Sequence, residues 1–130
     1  MATYLLDSDI LIDALNRKRG RDLLLERLLR TGHSLACCAV NVTEIFAGTR
    51  PEEEVRVERF LGSLEYYSIT RQVAKQAGRI RYEWAHRGIK VGVPDALIAA
   101  IAIAYGLVLI TGNRKHFPMP ELETFPLTEE

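Results

Sequence analysis

At 130 residues the chain has the length of one compact domain, because two domains of half that size would each bury too little apolar surface to hold together. Its 48% hydrophobic and 26% charged residues exclude a disordered chain, and the balance of 17 basic against 17 acidic residues argues against a strongly basic binder of polyanions. The balance is uneven along the chain: residues 121 to 130 hold Glu121, Glu123, Glu129 and Glu130 and no basic residue, leaving 17 basic against 13 acidic side chains, a net +4, over residues 1 to 120.

The elements follow in chain order. Tyr4-Leu5-Leu6 is a short apolar run, read as a buried strand, and Asp7-Ser8-Asp9 then leads into Ile10, Leu11, Ile12, Ala14 and Leu15 at helical spacing. A second helix is expected over Arg21 to Arg30, with Leu23, Leu24, Leu25, Leu28 and Leu29 inward and Thr31-Gly32 as its stop. Leu35 to Val40 reads as the second strand. Asn41 followed by Glu44 has the form of a capping box that would start a helix through Ile45, Phe46 and Ala47.

Pro51 opens the next helix, with Val55, Val57, Phe60 and Leu61 on its inner side, and Leu64 to Ile69 supplies a third strand. Thr70 caps a long helix ending near Arg87 and Gly88. Pro94-Asp95 begins an Ala- and Ile-rich helix that is apolar nearly all round, so protein should pack on both its sides; Gly106 stops it, and Leu107 to Ile110 is the fourth strand. Short apolar strands alternating with helices describe an α/β fold around a mostly parallel, buried sheet, as a single domain over residues 1–130.

The longest apolar stretch, Ala96 to Tyr105, falls short of the roughly 20 residues of a bilayer crossing, and no basic segment precedes the first apolar run. A cytoplasmic protein with no membrane partner is expected. Cys37 and Cys38 are neighbours whose side chains would point to opposite faces of a strand, which argues against a disulfide or a thiolate metal site.

Chemistry is concentrated in three acids. Asp7 directly follows the first strand, and in an open parallel sheet the ligand crevice lies outside the carboxyl ends of the strands. Glu44 and Asp95 lie in first turns of helices, at positions that can reach the same edge. Close carboxylates repel unless a cation joins them, and hard cations such as Mg²⁺ or Mn²⁺ prefer such oxygens. A cation there would acidify water, orient it toward a phosphodiester and offset charge on the phosphate. Taken singly, each acid equally suits a capping or helix-dipole role. Ser8 reads as a capping residue rather than a nucleophile, having no histidine near it in sequence.

Four stretches, Tyr4 to Ile12, Asn41 to Gly48, Val93 to Ala100 and Leu109 to Phe117, together resemble the PIN-domain ribonucleases, in particular the VapC-type toxins of toxin–antitoxin pairs. The resemblance implies a PIN-like three-layer α/β/α fold with a sheet of about four to five strands. It also implies a metal-dependent endoribonuclease that uses Mg²⁺, for which Mn²⁺ substitutes, with Asp7, Asp95 and Glu44 as metal-binding acids. Thr111 would hold hydrogen bonds of the site. Asn113 occupies a position where the family often has aspartate, so one firmly held ion is expected and a second only with RNA. A cognate antitoxin and a homodimer are implied as well.

Arg114 and Lys115, beside the last of these stretches, are the first choice for RNA phosphate contacts; Arg17, Lys18, Arg19 and Arg21 form a second basic cluster, and His116 reads as a surface or substrate-side residue. Two other readings compete. Asp7-Ser8-Asp9 mimics the nucleophile motif of haloacid-dehalogenase-like phosphatases, although Ile10 and Leu11 follow where that motif has small residues and a threonine. A non-catalytic RNA-binding module, in which the acids only cap helices, is the second.

Overall fold

The computed structural model describes residues 1–127. Its strands, β1 (Thr3–Leu6), β2 (Ser34–Cys38), β3 (Glu65–Tyr67) and β4 (Val108–Ile110), form one sheet in the order β3-β2-β1-β4, and every pairing is parallel. The backbone after residue 122 runs beside β4: Leu109 N donates to Glu123 O and Phe125 N donates to Leu109 O. That stretch covers an edge that would otherwise present unpaired peptide groups.

Among the described residues six helices flank the sheet: α1 (Ser8–Leu15), α2 (Arg21–Arg30), α3 (Ala39–Ala47), α4 (Glu54–Gly62), α5 (Arg71–Ala85) and α6 (Val93–Tyr105). The strands alternate in a way that assigns the layers. Leu5, Ala36, Cys38 and Leu109 pack with Val73, Ala77 and Ile80 of α5 and with the buried Ala96 and residues 98–102 of α6. Leu6, Leu35, Cys37 and Ile110 pack on the other face with Ile10, Leu25, Ile45, Val57 and Leu61 from α1 to α4. This is the three-layer α/β/α architecture, and each fully buried Leu or Ile in it contributes about 1.5–3 kcal/mol of burial free energy. Cys37 and Cys38 are free and face opposite layers, as their adjacency requires.

Several local expectations are corrected. The strand expected to reach Val40 ends at Cys38, which is the N-cap of α3, so Asn41 is the third residue of the helix and not its first cap. Its Oδ1 accepts from Cys38 N at 2.8 Å, and Glu44 closes no capping box. The reason is tertiary: Asn41 is fully buried and its amide is needed elsewhere, as described below. Pro51 starts a 3-10 turn (Pro51–Glu53) that leads into α4. Leu23, Leu29 and Val55, expected inward, are exposed, because each helix buries only one stripe against the sheet.

Candidate active site

The strand order reverses between β1 and β4, since β1 runs on to β2 on one side and receives β4 on the other. Ligand crevices in open α/β sheets form outside the carboxyl ends of strands at such a switch point. Asp7 follows β1 and Thr111 follows β4, so the two residues straddle it. Asp7 N donates to Ile110 O at 2.9 Å, and Thr111 Oγ1 donates to Asp7 Oδ2 at 2.7 Å. Asp7 also caps α1, with its Oδ1 accepting from Ser8 N at 2.9 Å. Capping and site geometry are here one arrangement: the bonds that start α1 fix the carboxylate at the sheet edge.

A second chain of contacts runs through Asp9, which the sequence reading passed over. Its Oδ2 accepts from Gly112 N at 3.1 Å and from Asn113 Nδ2 at 3.3 Å. A Cβ on Gly112 would lie 2.6 Å from that oxygen, so glycine is what allows the loop to approach the carboxylate. Asn113 N donates to Thr111 Oγ1 at 3.0 Å. Asn113 thus contributes to the site by holding Asp9, and Thr111 both donates to Asp7 and accepts from Asn113.

Glu44 is held by Ser8, whose Oγ donates to Glu44 Oε1 at 2.6 Å. Ser8 Oγ in turn accepts from Asn41 Nδ2, which also donates to Leu6 O, both at 3.0 Å. Asn41 therefore ties β1, β2 and α1 together and points Ser8 at Glu44. Nothing in sequence spacing links Asn41 to Leu6; only its burial among strand ends reveals this role. The Ser8 hydroxyl is spent on holding Glu44 and accepting from Asn41, and among the described residues no histidine hydrogen-bonds to it.

Asp95 sits half-buried in the first turn of α6, with His116 Nδ1 3.8 Å from its Oδ2. Arg114 and Lys115 are exposed on a 3-10 turn (Arg114–His116), and Lys115 lines a cleft of about 220 Å³ with Asp95 and His116. The other basic cluster fits a nucleic-acid role less well. Arg21 is buried and Arg19 pairs with Asp13 at 3.1 Å.

The carboxylates share one electrostatic neighbourhood. Burial raises the pKa of Asp7, its bonds from Thr111 and Ser8 oppose that rise, and the charges of Asp95 and Glu44 add to it. Asp9 is raised by burial and by Asp7. Asp95 is raised by burial, pulled back by His116, and raised further by Glu44 and Asp9. Among the described residues no three His, Cys, Asp or Glu side chains are grouped as a ready metal cage, with Glu44 engaged by Ser8. The donor set fits Mg²⁺ all the same, because that ion commonly takes one or two carboxylates and completes its shell with water and substrate phosphates. The thiols do not fit: burial pushes Cys37 up to about 11 and raises Cys38 as well.

A parallel α/β/α sheet with clustered, mutually repelling acids at its switch point defines a class of metal-using hydrolytic domains. The model of the PIN domain matches residues 4–120. Ribonuclease VapC19 of Mycobacterium tuberculosis is 35% identical over 122 residues, covering 92% of this chain and 96% of the relative. Ribonuclease VapC10 of the same organism is 38% identical over 120 residues, covering 90% and 87%. The crystal structure of VapBC2 from Rickettsia felis bound to a DNA fragment from their promoter contains a chain that superposes with a TM-score of 0.82 at 27% identity, covering 95% of this chain and 97% of that one. The protein belongs to the PIN-domain family, within its VapC-type ribonucleases. That membership displaces the haloacid-dehalogenase-like alternative.

Proposed function

We propose that this chain is the endoribonuclease toxin of a toxin–antitoxin pair, a single nuclease unit over residues 1–130 that hydrolyses RNA phosphodiester bonds with the help of Mg²⁺, or Mn²⁺ in its place. The observation that carries the reading is the Asp7 carboxylate, buried at the switch point, held by Thr111 and Ser8, and raised in pKa by that burial first and then by the charges of Asp95 and Glu44. Like charges held together in this way suit a cation. Asp7 and Asp95 would hold it, with Glu44 as the third acid. When bound, such an ion supplies Lewis acidity to a phosphate oxygen and acidifies water.

The chain's own residues do the rest. Thr111 and Ser8 N fix the Asp7 carboxylate, so its geometry is set before RNA arrives. Gly112 N and Asn113 hold Asp9, and Asn113 leaves that corner without the extra charge that would call for a second ion. Arg114 and Lys115 contact phosphates flanking the scissile bond, so the RNA backbone approaches the acids despite their charge. Water attacks phosphorus, the bond to the leaving oxygen breaks, and that oxygen takes up a proton.

The relatives named above are ribonucleases, and the Rickettsia felis structure is of a VapBC pair. By extension this protein has a cognate antitoxin; a homodimer, as the family resemblance implies, and action in the cytoplasm complete the proposal. No helix of the described residues is long and apolar enough to cross a membrane.

The test compares the parent protein with Asp95→Asn on RNA in Mg²⁺, in Mn²⁺ and in chelator. The expected result is metal-dependent cleavage by the parent and a loss of at least about 100-fold in the variant. Metal should raise the melting temperature of the parent only. Equal cleavage by both proteins, or RNA binding without any cleavage by the parent, would return the chain to the non-catalytic reading.

A further inference from the structure

We infer that the α5–α6 connection and the adjoining end of α5 form a second RNA site, a single-stranded subsite that guides the substrate into the acidic centre; this rests on the ribonuclease reading above. The first observation is the distribution of charge. Residues 71 to 90 contain Arg71, Lys75, Arg79, Arg81, Arg87 and Lys90 against Glu83 alone, a net +5. Residues 1 to 120 total +4, so outside this segment they sum to −1. The positive character of the body thus resides in one helix and the loop that follows it.

The second observation is shape. A cleft of about 490 Å³ lies at the end of α5, with Tyr82, Ala85 and Ile89 as an apolar floor and Arg81 and Lys90 as basic walls. Ile89 and Lys90 also line the smaller cleft that contains Asp95, Lys115 and His116. The two clefts therefore meet at Ile89 and Lys90, and a strand lying in both would run from the acids to Tyr82. Arg81 Nε donates to Val91 O at 2.9 Å, which pins the loop against the helix and keeps the large cleft formed. Gly88, at φ +77°, makes the turn into that loop.

The third observation is exposed aromatic surface that packing does not require. Tyr82 is 53% exposed and Ile89 41% exposed, although both belong to a chain with an ample core. The Arg79 guanidinium lies over the Tyr82 ring at 4.7 Å, and the His86 ring centroid is 4.3 Å from it. Flat aromatic and guanidinium groups beside cationic walls are what unpaired bases and a phosphate backbone bind together. A duplex buries its bases and offers this floor nothing to stack on, so the occupant is single-stranded RNA.

The experiment measures fluorescence anisotropy of random-sequence, fluorescein-labelled RNA in chelator, so that nothing is cut, with single strands of roughly 4 and roughly 16 nucleotides and a 16-base-pair duplex. The variant carries Arg79→Ala, Tyr82→Ala and Lys90→Ala, all exposed positions, and Arg27→Ala with Arg30→Ala, both exposed on α2, removes the same two charges as the control. The longer strand should bind the triple variant about tenfold more weakly, with a salt slope smaller by about one, and the control should match the parent. The short strand, which Arg114 and Lys115 can hold in the smaller cleft, meets only Lys90 of the three changed residues and should bind the variant no more than about twofold more weakly.

Equal binding of the long strand by parent and triple variant would overturn the subsite, as would an equal loss on the short strand or in the control. Duplex RNA showing the same tenfold loss would overturn the single-stranded assignment. A parent that binds as expected and cleaves nothing in Mg²⁺ would defeat the nuclease reading separately.

Discussion

Asp7 and Asp95 stand in one acidic neighbourhood and are held in opposite ways. Asp7 is almost wholly buried, and both of its oxygens accept hydrogen bonds, from Ser8 N and from Thr111 Oγ1. Asp95 is only half-buried on the first turn of α6, and its neighbour His116 is 3.8 Å away, beyond hydrogen-bonding reach. One acid is therefore locked by the sheet edge, while the other keeps freedom to adjust. A cation that demands near-ideal octahedral geometry is well served by one fixed and one adjustable carboxylate.

The largest effect expected from this contrast lies on the locked side. Thr111→Val keeps the shape and removes the hydroxyl, leaving Asp7 Oδ2 without its donor and Asn113 N without its acceptor. Cleavage, measured as kcat/KM, should fall about 10–100-fold, and stability should fall by about 1–2 kcal/mol in denaturant unfolding. His116→Ala on the other side should cost less than about threefold, as expected of a loosely paired surface contact. Equal losses from the two changes would erase the distinction between a fixed and an adjustable acid.

A smaller effect concerns stability and pH. A carboxyl whose folded pKa is raised binds more protons in the folded state, so stability falls as pH rises from the unfolded value, 3.8 for Asp95, through the raised folded value, and is level above it. The parent carries that handicap at neutral pH. Asp95→Asn should therefore melt roughly 2 °C above the metal-free parent at pH 7. The difference should close as pH falls below the unfolded value, where the carboxyl is neutral in both states. A variant that melts lower than the parent at pH 7 would mean that His116 outweighs burial and repulsion at Asp95.

The smallest effect belongs to the loop between them. Gly112→Ala would place a Cβ 2.6 Å from Asp9 Oδ2, and because the obstacle is the end of a side chain, Asp9 would swing away and give up Gly112 N and Asn113. A fall of roughly 1–2 °C in melting temperature and a few-fold loss of cleavage are expected. An unchanged activity would show that Asp9 serves only to start α1.

Much of the architecture was legible because its signals are local. Leu5 and Leu6, Leu35 to Cys38, and Leu109 and Ile110 alternate between layers as a buried sheet requires. Thr70 caps α5 by accepting from Val73 N, and Gly106 ends α6 in the left-handed conformation. Asn41 suits the N-cap by residue type, whereas it stands three residues further on, where its amide accepts from the N-cap residue Cys38 and donates to Leu6 O and Ser8. Asp9 was overlooked for a related reason: beside Asp7 in sequence it looks like a spare capping residue, and its real contacts are more than a hundred residues away.

By itself the sequence determined the alternation of strands and helices, the apolar faces and the placing of acids at strand and helix ends, since these depend on periodicity, capping and burial within a few residues. The tertiary structure alone decided which side chains hold those acids and where positive charge lies relative to them. Hydrogen bonds such as Thr111 to Asp7 and Asn41 to Leu6, and clefts that meet at Ile89 and Lys90, join residues that only the folding of the parallel sheet brings together.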